Sequence, residues 1–225
     1  VKTITFEEKA PARYLKMDIT SARGNFGSGR EMYIFKVPGT ETVLQGDINH
    51  DGRIDMDDFT SYMNYTGLRA GDSDFDGYIS GGDINKNGLI DAYDISTVGV
   101  MTRGGVSTYG MGTLSGNLEL IAPKSIREGE EVKVIIRGTD LNEVNAWSVA
   151  IPYNANQLTY VNTTTAGNKE MENLTYDRLH KSGEKALYPT FVNTGNKAVL
   201  SGNGTLVEIT FVARLSGELN LQMKD

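Results

Sequence analysis

Residues 46–59 read GDINHDGRIDMDDF, and residues 82–95 read GDINKNGLIDAYDI. Each stretch contains Asp-x-Asx-x-Asx-Gly, an Ile at position 8 counted from the first Asp, and a further Asp at position 12. In such loops, oxygens at positions 1, 3 and 5, a backbone carbonyl at position 7 and a carboxylate at position 12 surround a hard cation, with Gly at the sharp turn. The repeated stretch therefore predicts calcium loops, and the apolar spacing after each loop predicts a short helix.

Three twelve-residue windows fit this pattern, and each supplies a set of candidate metal ligands. Loop one, residues 47–58, offers Asp47, Asn49, Asp51, the carbonyl of Arg53, Asp55 through a water, and Asp58. Loop two, residues 72–83, offers Asp72, Asp74, Asp76, Tyr78 and Asp83. Loop three, residues 83–94, offers Asp83, Asn85, Asn87, Leu89, Asp91 and Asp94. Position 8 is Ile54, Ile79 and Ile90 in turn, which predicts a short strand contact between paired loops.

Loop two has two features that leave its role open. Asp83 would have to serve loops two and three together, which is possible because two ions bring enough positive charge for the shared carboxylates. Alternatively, loop two is a vestigial turn, because Gly81 and Gly82 stand where its helix should begin and Gly is a poor helix former. We therefore expect two or three Ca²⁺ ions, with magnesium the weaker candidate because it tends to retain its waters.

The charge distribution favours the same interpretation. The chain has 225 residues and a formal net charge of −7, yet eleven Asp, no Glu and three basic residues lie between Gly46 and Asp94. Short carboxylates interleaved with Gly and Asn are typical of oxygen cages around a hard cation. Nucleic acid is disfavoured as a partner, because no basic stripe is present to neutralise phosphates.

Composition also argues against catalysis and against a membrane span. The chain has no Cys, only two His, and no apolar run long enough to cross a bilayer. The main Asp clusters are assigned to cation loops, and the pairs Glu7-Glu8 and Glu130-Glu131 should point to opposite faces of a strand. Because the sequence begins at Val1 without a signal peptide, we expect it to be the C-terminal piece of a longer exported protein.

The order of apolar patterns predicts a chain that is mainly β with a small α module. We expect strands in residues 1–40, calcium loops with two helices in residues 41–103, a Gly/Ser/Thr-rich linker in residues 104–115, and a β-sandwich in residues 116–225. In the α module, Phe59, Tyr62, Met63 and Thr66 are spaced as one helix face, and Ile95, Val98 and Met101 as another. Turns are predicted at Pro123, at Glu128-Gly129 and at Ser201–Gly204.

Residues 43–59 and 82–95 resemble the duplicated calcium loop and helix of dockerin modules, in which Asp at position 12 is usual. Loop two is an insertion between the repeats that ordinary dockerins lack. The resemblance implies a module that binds cohesins and joins polysaccharide-degrading enzymes to scaffolds or to one another. It also implies partner-recognition residues at loop positions 10 and 11, Met56-Asp57 and Ala92-Tyr93, although these are equally suited to be ordinary first-turn helix residues.

Two further stretches resemble known families. Residues 144–161 and 204–213 are similar to strand regions of a cohesin-type β-sandwich. Residues 12–19 and 31–35 resemble the last strands of a discoidin-like (factor 5/8 type C) carbohydrate-binding module, whose ligand loops would lie upstream. Together these resemblances imply the C-terminal part of a secreted or cell-surface bacterial glycoside hydrolase.

The favoured hypothesis is a non-catalytic, calcium-dependent assembly region. Its partner is a cohesin-type or dockerin-type module, either in another chain or within this one, because the linker is long enough for an intramolecular contact. The alternative is a carbohydrate-binding module in which Trp147, Tyr153 or Tyr160 stacks on a sugar ring, although a lone Trp among small residues is more often in the core.

Overall fold

A computed structural model describes residues 44–75, 79–102, 115–167, 169–193 and 199–224. The chain divides into two compact units, Val1–Thr42 and Val43–Asp225. The discoidin-like strands predicted for residues 1–40 and most of the predicted linker lie outside the described residues. Within the second unit we call residues 44–102 the helical module and residues 115–224 the sandwich.

Two short helices follow loops one and three, as the sequence predicts. Helix α1 spans Met56–Tyr62 and helix α2 spans Ala92–Met101. Each begins with a capping box formed by two Asp residues, the N-cap and the third helical residue. The side chain of each accepts a hydrogen bond from the backbone amide of the other. No α-helix follows loop two in the described residues, where the chain instead forms the 3₁₀ turn Ser80–Gly82.

The predicted helix faces are only partly buried. Phe59, Tyr62, Ile95 and Val98 lie in the core of the helical module. Met63 and Met101 are exposed, and Thr66 is buried although it lies beyond the end of α1. Helix α1 is thus shorter than the apolar spacing indicates, because turn residues follow directly after Tyr62, whereas α2 includes all three of its predicted positions.

The described residues of the sandwich form twelve strands. They are β1 Ser115–Ile121, β2 Ser125–Ile126, β3 Glu131–Val144, β4 Ala146–Ser148, β5 Ile151–Pro152, β6 Leu158–Thr165, β7 Glu172–Asn173, β8 Tyr176–Leu179, β9 Lys185–Tyr188, β10 Thr190–Val192, β11 Leu200–Ala213 and β12 Gly217–Glu218. The described residues are therefore mainly β with two α-helices, which confirms this part of the predicted fold class.

The strands form two layers around one core. One layer is the antiparallel sheet β1-β3-β11-β6, and the other is built from the smaller sheets β4-β10-β7 and β5-β9-β8. Alternate residues of β3 are buried, as expected for a strand with one face on a core. Ile136 and Phe211 of the first layer share a core cluster with Trp147 and Leu187 of the second.

The structure differs from the sequence prediction at one turn and at several strands. Residues 201–204, predicted as a turn, lie inside β11, where irregular register with β3 accommodates the glycines. The mostly apolar run of residues 185–192, whose composition predicts one strand, is split at Pro189, which has no amide to donate. The sequence analysis did not predict β7 and β8, whose strands are short and largely polar.

The helical module and the sandwich are packed together inside one compact unit. Helix α2 packs against β4 and β10, and the sandwich residues Leu174 and Val192 belong to the core cluster of the helical module. Neither described helix is long and apolar enough to cross a membrane. Two features bear on function: the contact between the helical module and the sandwich, and the pair of repeated loops.

Candidate calcium loops and module interface

Loops one and three have the same hydrogen bonds at position 1. The Asp47 carboxylate accepts from the backbone amides of Asp51 at 3.1 Å and Gly52 at 2.8 Å. In loop three, the Asp83 carboxylate accepts from the amides of positions 5 and 6, also at 3.1 and 2.8 Å. Each loop is therefore wrapped around its first carboxylate in the same way.

The carboxylates at position 12 repeat the same correspondence. Asp58 accepts from the amides of Ile48 and Asp55, both at 2.9 Å. Asp94 accepts from the amides of positions 2 and 9 of loop three at 2.7 and 3.0 Å. Position 12 thus joins the start of each loop to the N-terminus of its helix.

Backbone dihedral angles confirm that the two loops have one conformation. Position 4 has a left-handed backbone in both, with φ of 57° at His50 and 59° at Lys86. Position 6 is Gly in both, with φ of 87° at Gly52 and 84° at Gly88. A left-handed φ favours Gly because it has no Cβ, so the glycines identified in the sequence have a direct geometric reason.

The carboxylates at position 12 are buried, and both burial and neighbouring Asp side chains raise their pKa values. Asp58 and Asp94 are fully buried. Burial, together with the charges of Asp91 and Asp83, raises the pKa of Asp94 to about 7 despite its backbone hydrogen bonds. Burial, with a smaller contribution from Asp47, also raises the pKa of Asp58. A bound divalent cation would offset this electrostatic cost.

The donor chemistry of loops one and three fits a hard cation. The side chains at positions 1, 3, 5, 9 and 12 all offer carboxylate or amide oxygens, the ligands that calcium prefers. In the described part of the chain, however, no three acidic or histidine side chains are grouped as a ready metal site. The carboxylate oxygens at positions 1 and 12 are instead directed at backbone amides, as the distances above show. Calcium binding by these residues therefore stays a prediction.

Loop two is organised differently. Asp72, its position 1, accepts hydrogen bonds from the backbone amide of Lys181 at 3.0 Å and of Arg69 at 3.2 Å, and its Oδ2 lies 2.7 Å from His180 Nδ1. Burial opposes ionisation of Asp72, but the Lys181 amide and the His180 side chain outweigh burial and lower its pKa. Both oxygens of Asp72 are thus directed at neighbours that include two sandwich residues.

The remaining candidate ligands of loop two add little to a shared site. Asp83 has its two oxygens hydrogen-bonded within loop three. Asp74 is exposed, and Asp76 and Tyr78 lie outside the described residues. The structure therefore brings the ligands of loops one and three into two matching loops, and draws the first ligand of loop two to the sandwich.

The isoleucines at position 8 have a different partner from the one predicted. Ile79 and Ile90 are fully buried. The amide of Ile90 donates to the Leu68 carbonyl at 2.9 Å, and its carbonyl accepts from the Gly67 amide at 2.8 Å. Loop three is thus paired with the segment before loop two.

The interface contains one of the residues at positions 10 and 11. The backbone amide of Ala92 donates to Ser148 Oγ of β4 at 3.1 Å. Met56 and Tyr93 are exposed, at 52% and 55%. Ala92 therefore contacts the sandwich through its backbone, not through a side chain exposed for partner recognition.

The aromatic residues considered for sugar stacking are packed inside the sandwich. Trp147 is buried and stacked on Phe191, with ring centroids 4.8 Å apart. Tyr153 is buried, its ring meets the edge of Phe211, and its hydroxyl donates to Asp177. Tyr160 is half-buried against the same Phe211 ring. The expectation that Trp147 is a core residue is confirmed, and these rings offer no open stacking platform.

The sequence analysis did not identify the residues that hold the interface. Arg178, His180 and Glu184 lie in or beside strands β8 and β9 and contact residues more than a hundred positions earlier. The sequence held a weak signal, because His180 is one of only two histidines and lies in a polar stretch. Nothing in that stretch, however, identified its distant partner.

Comparison with solved structures gives cohesin modules as neighbours. The cohesin module of a Clostridium perfringens family 33 glycoside hydrolase is 16% identical, with a TM-score of 0.36, and the match covers 50% of this chain and 95% of that one. A cohesin from Acetivibrio cellulolyticus scaffoldin B, solved in complex with a dockerin, is 16% identical with a TM-score of 0.39, covering 49% and 82%. A non-cellulosomal cohesin from Archaeoglobus fulgidus is 13% identical with a TM-score of 0.32, covering 48% and 78%.

Sequence comparisons gave no further relatives. No protein-family model matches the chain, and no curated protein matches it. Because the TM-scores of the structural neighbours are below 0.5, the proposals that follow rest on the residues and contacts of this chain.

Proposed function

We propose that this region is a non-catalytic, calcium-dependent protein–protein assembly region, in which two calcium ions order a helical module that docks on a β-sandwich. The observation that carries the proposal is the identical geometry of loops one and three. Two stretches with the same hydrogen bonds, dihedral angles and helix caps are what a duplicated ion-binding unit requires.

Two ions are proposed rather than three. Loop one would use Asp47, Asn49, Asp51, Arg53, Asp55 and Asp58, and loop three would use Asp83, Asn85, Asn87, Leu89, Asp91 and Asp94. Loop two is left out because Asp72 is hydrogen-bonded to Lys181 and His180 of the sandwich, whereas Asp47 and Asp83 are hydrogen-bonded within their own loops. When bound, calcium would neutralise the buried carboxylates and hold each loop against the start of its helix.

The proposed partner class is a β-sandwich of cohesin type for the helical module, and a dockerin-type module for the sandwich. The contact of α2 with β4 and β10 supports this pairing, since it shows that the two surfaces fit. We further propose that the region works outside the bacterial cell or at its surface, where calcium is abundant enough for loops that bind at about 10⁻⁴ to 10⁻³ M. That the parent protein is a polysaccharide-degrading glycoside hydrolase stays a prediction of the sequence resemblance.

A calorimetric calcium titration of the full chain tests the proposal. We expect two ions per chain, and Asp58→Asn and Asp94→Asn should each weaken one site by at least about tenfold, because the position 12 carboxylate loses its charge. Asp57→Asn is the matched control, since Asp57 is an exposed neighbour of Asp58 and no candidate ligand. Absence of calcium binding would refute the calcium dependence, and three ions per chain would show that loop two had been wrongly left out.

A further inference from the structure

A short segment of the helical module is held by one hairpin of the sandwich. The segment comprises residues 64–72, between α1 and loop two, and the hairpin comprises β8, β9 and their connection, residues 176–188. Arg178 donates to the carbonyls of Asn64 at 2.9 Å and of Thr66 at 2.8 and 3.0 Å. One guanidinium thus satisfies carbonyls in the turn that follows α1, as a cation at a helix C-terminus does.

An ion pair adds a second point of attachment. Arg69 of the segment forms a two-pronged contact with the Glu184 carboxylate, at 3.2 and 3.3 Å, and also donates to Ser182 Oγ at 2.9 Å. Both side chains are about one-third exposed, so this pair contributes more to the fit of the two surfaces than to overall stability. Its opposite charges make the segment and the hairpin complementary.

The contact is closely fitted at its centre. Tyr188 is buried, and its hydroxyl lies 2.7 Å from His180 Nε2, while the opposite side of that imidazole contacts Asp72. A Cβ added at Gly67 would lie 2.2 Å from Tyr188 Cδ2. The chain passes directly over the Tyr188 ring, and only Gly leaves enough room there.

Apolar residues make the two modules share one core. Leu174 and Val192 of the sandwich are buried among Phe59, Ile90 and Ile95 of the helical module. Separating the modules would expose these side chains to water and would also break the polar contacts of Arg178, Arg69 and Asp72. An apolar centre with charged and polar contacts around it is the arrangement of a stable interface.

We propose that the helical module occupies in cis the face of the sandwich formed by β4, β10 and the β8–β9 hairpin, so that the intact chain is closed to a helical module from another chain at this face. The inference rests on the proposed assembly function, because it specifies the partner at the same surface. The proposal gives the segment of residues 64–72, including Asp72, the role of binding the sandwich of the same chain. Assembly with other proteins would then use surfaces outside this interface, or would require the interface to open.

The test uses the full chain with one specific protease site inserted between residues 104 and 114. After cleavage of the folded protein, the two parts should still co-elute on size exclusion at about 1 µM, with an apparent Kd below that concentration. Parts that separate at once under these conditions would overturn the proposal.

Variants of the cleaved chain locate the contact. Arg178→Ala should weaken the association of the two parts at least about tenfold, because it leaves the Asn64 and Thr66 carbonyls without their donor. Lys133→Ala is the control, because Lys133 pairs with Glu131 and Glu208 on the other layer. Equal effects of the two variants would contradict the assigned interface.

A charge swap keeps the test informative if Arg178→Ala does not fold. Arg69→Glu and Glu184→Arg should each weaken the association roughly fivefold, because like charges then face each other, and the double variant should restore it to within about twofold. Failure of the double variant to restore association would argue against the proposed pairing.

Closure in cis is tested by exchange between chains. A fluorescent helical part from a cleaved chain should not transfer to an excess of intact chain, whereas it should exchange with unlabelled cleaved chain. Transfer to the intact chain would show that the face is open. Each measurement is made with calcium and with chelator: co-elution without any calcium effect would leave the interface standing and count against the proposed calcium dependence.

Discussion

At the scale of single residues, Gly67 shows how closely the two modules approach each other. Its φ is +76°, and the Tyr188 ring occupies the space that a side chain would need. Gly71 provides a matched comparison, since its φ is +94° and no atom lies within 4 Å of an added Cβ. The two glycines therefore share the backbone requirement and differ in the steric one.

We predict that Gly67→Ala destabilises the protein more than Gly71→Ala does. Both substitutions place a side chain in the left-handed region, at a cost of roughly 1–2 kcal/mol. Gly67→Ala also overpacks against Tyr188, which should add about 1–3 kcal/mol. Urea unfolding of the two variants gives the difference directly. Equal losses would mean that the Tyr188 ring moves aside without cost.

At the scale of elements, Tyr62 connects helix α1 to the 3₁₀ turn Ser80–Gly82 near the end of loop two. The side chain is fully buried, and its hydroxyl donates to the Gly82 carbonyl at 2.7 Å. Gly82 itself lies close to Ile48 of loop one, where an added Cβ would be 2.7 Å from Ile48 Cδ1. The 3₁₀ turn is thus fixed between the two repeats, and Gly82 has a packing reason besides its low helix propensity.

Loss of this hydrogen bond should therefore weaken the whole helical module. Tyr62→Phe leaves the Gly82 carbonyl without its donor in a buried position, and we expect a loss of about 1–3 kcal/mol. Tyr93→Phe, on exposed α2 surface, should change stability by less than about 0.5 kcal/mol. The measurement is chemical unfolding in calcium buffer. A result for Tyr62→Phe as small as that for Tyr93→Phe would show that water replaces the lost donor.

At the scale of the whole molecule, the two modules should respond to calcium together. The helical module and part of the sandwich share a core that includes Leu174 and Val192. Loosening the calcium loops should therefore loosen the strands that carry these residues. The layer formed by β3 and β11 lies on the other side of the sandwich core and should be affected least.

Hydrogen exchange with and without chelator measures this coupling. We expect chelation to reduce amide protection in residues 44–102 and in residues 172–192, while the centre of β3, residues 132–136, keeps its protection. Loss of protection confined to the loops would mean that the modules are energetically independent despite their common core. Unchanged protection throughout would remove the structural role proposed for calcium.

The acidic repeat shows what local sequence determines. The positions of the glycines, the N-cap aspartates and the loop carboxylates are fixed by short-range requirements: a left-handed turn, orphan amides at a helix start, and a ring of oxygens within twelve residues. The helices after loops one and three and the mainly β pattern could therefore be predicted. The extra helical positions Met63 and Thr66 could not be excluded, because apolar spacing does not mark where a helix ends.

Only the tertiary structure decided the role of Asp72 and the placement of the two modules. Asp72 has the same local pattern as the first residue of the other loops, yet its partner His180 is 108 positions away. Arg178 and Tyr188 are likewise unremarkable in sequence and gain their roles from a segment folded against them. Contacts of such long range depend on the packing of the entire chain and cannot be predicted from residue spacing. The sequence by itself specified the repeated loops and the mainly β pattern of residues 116–225, whereas packing of the whole chain determined that the helical module lies against the sandwich.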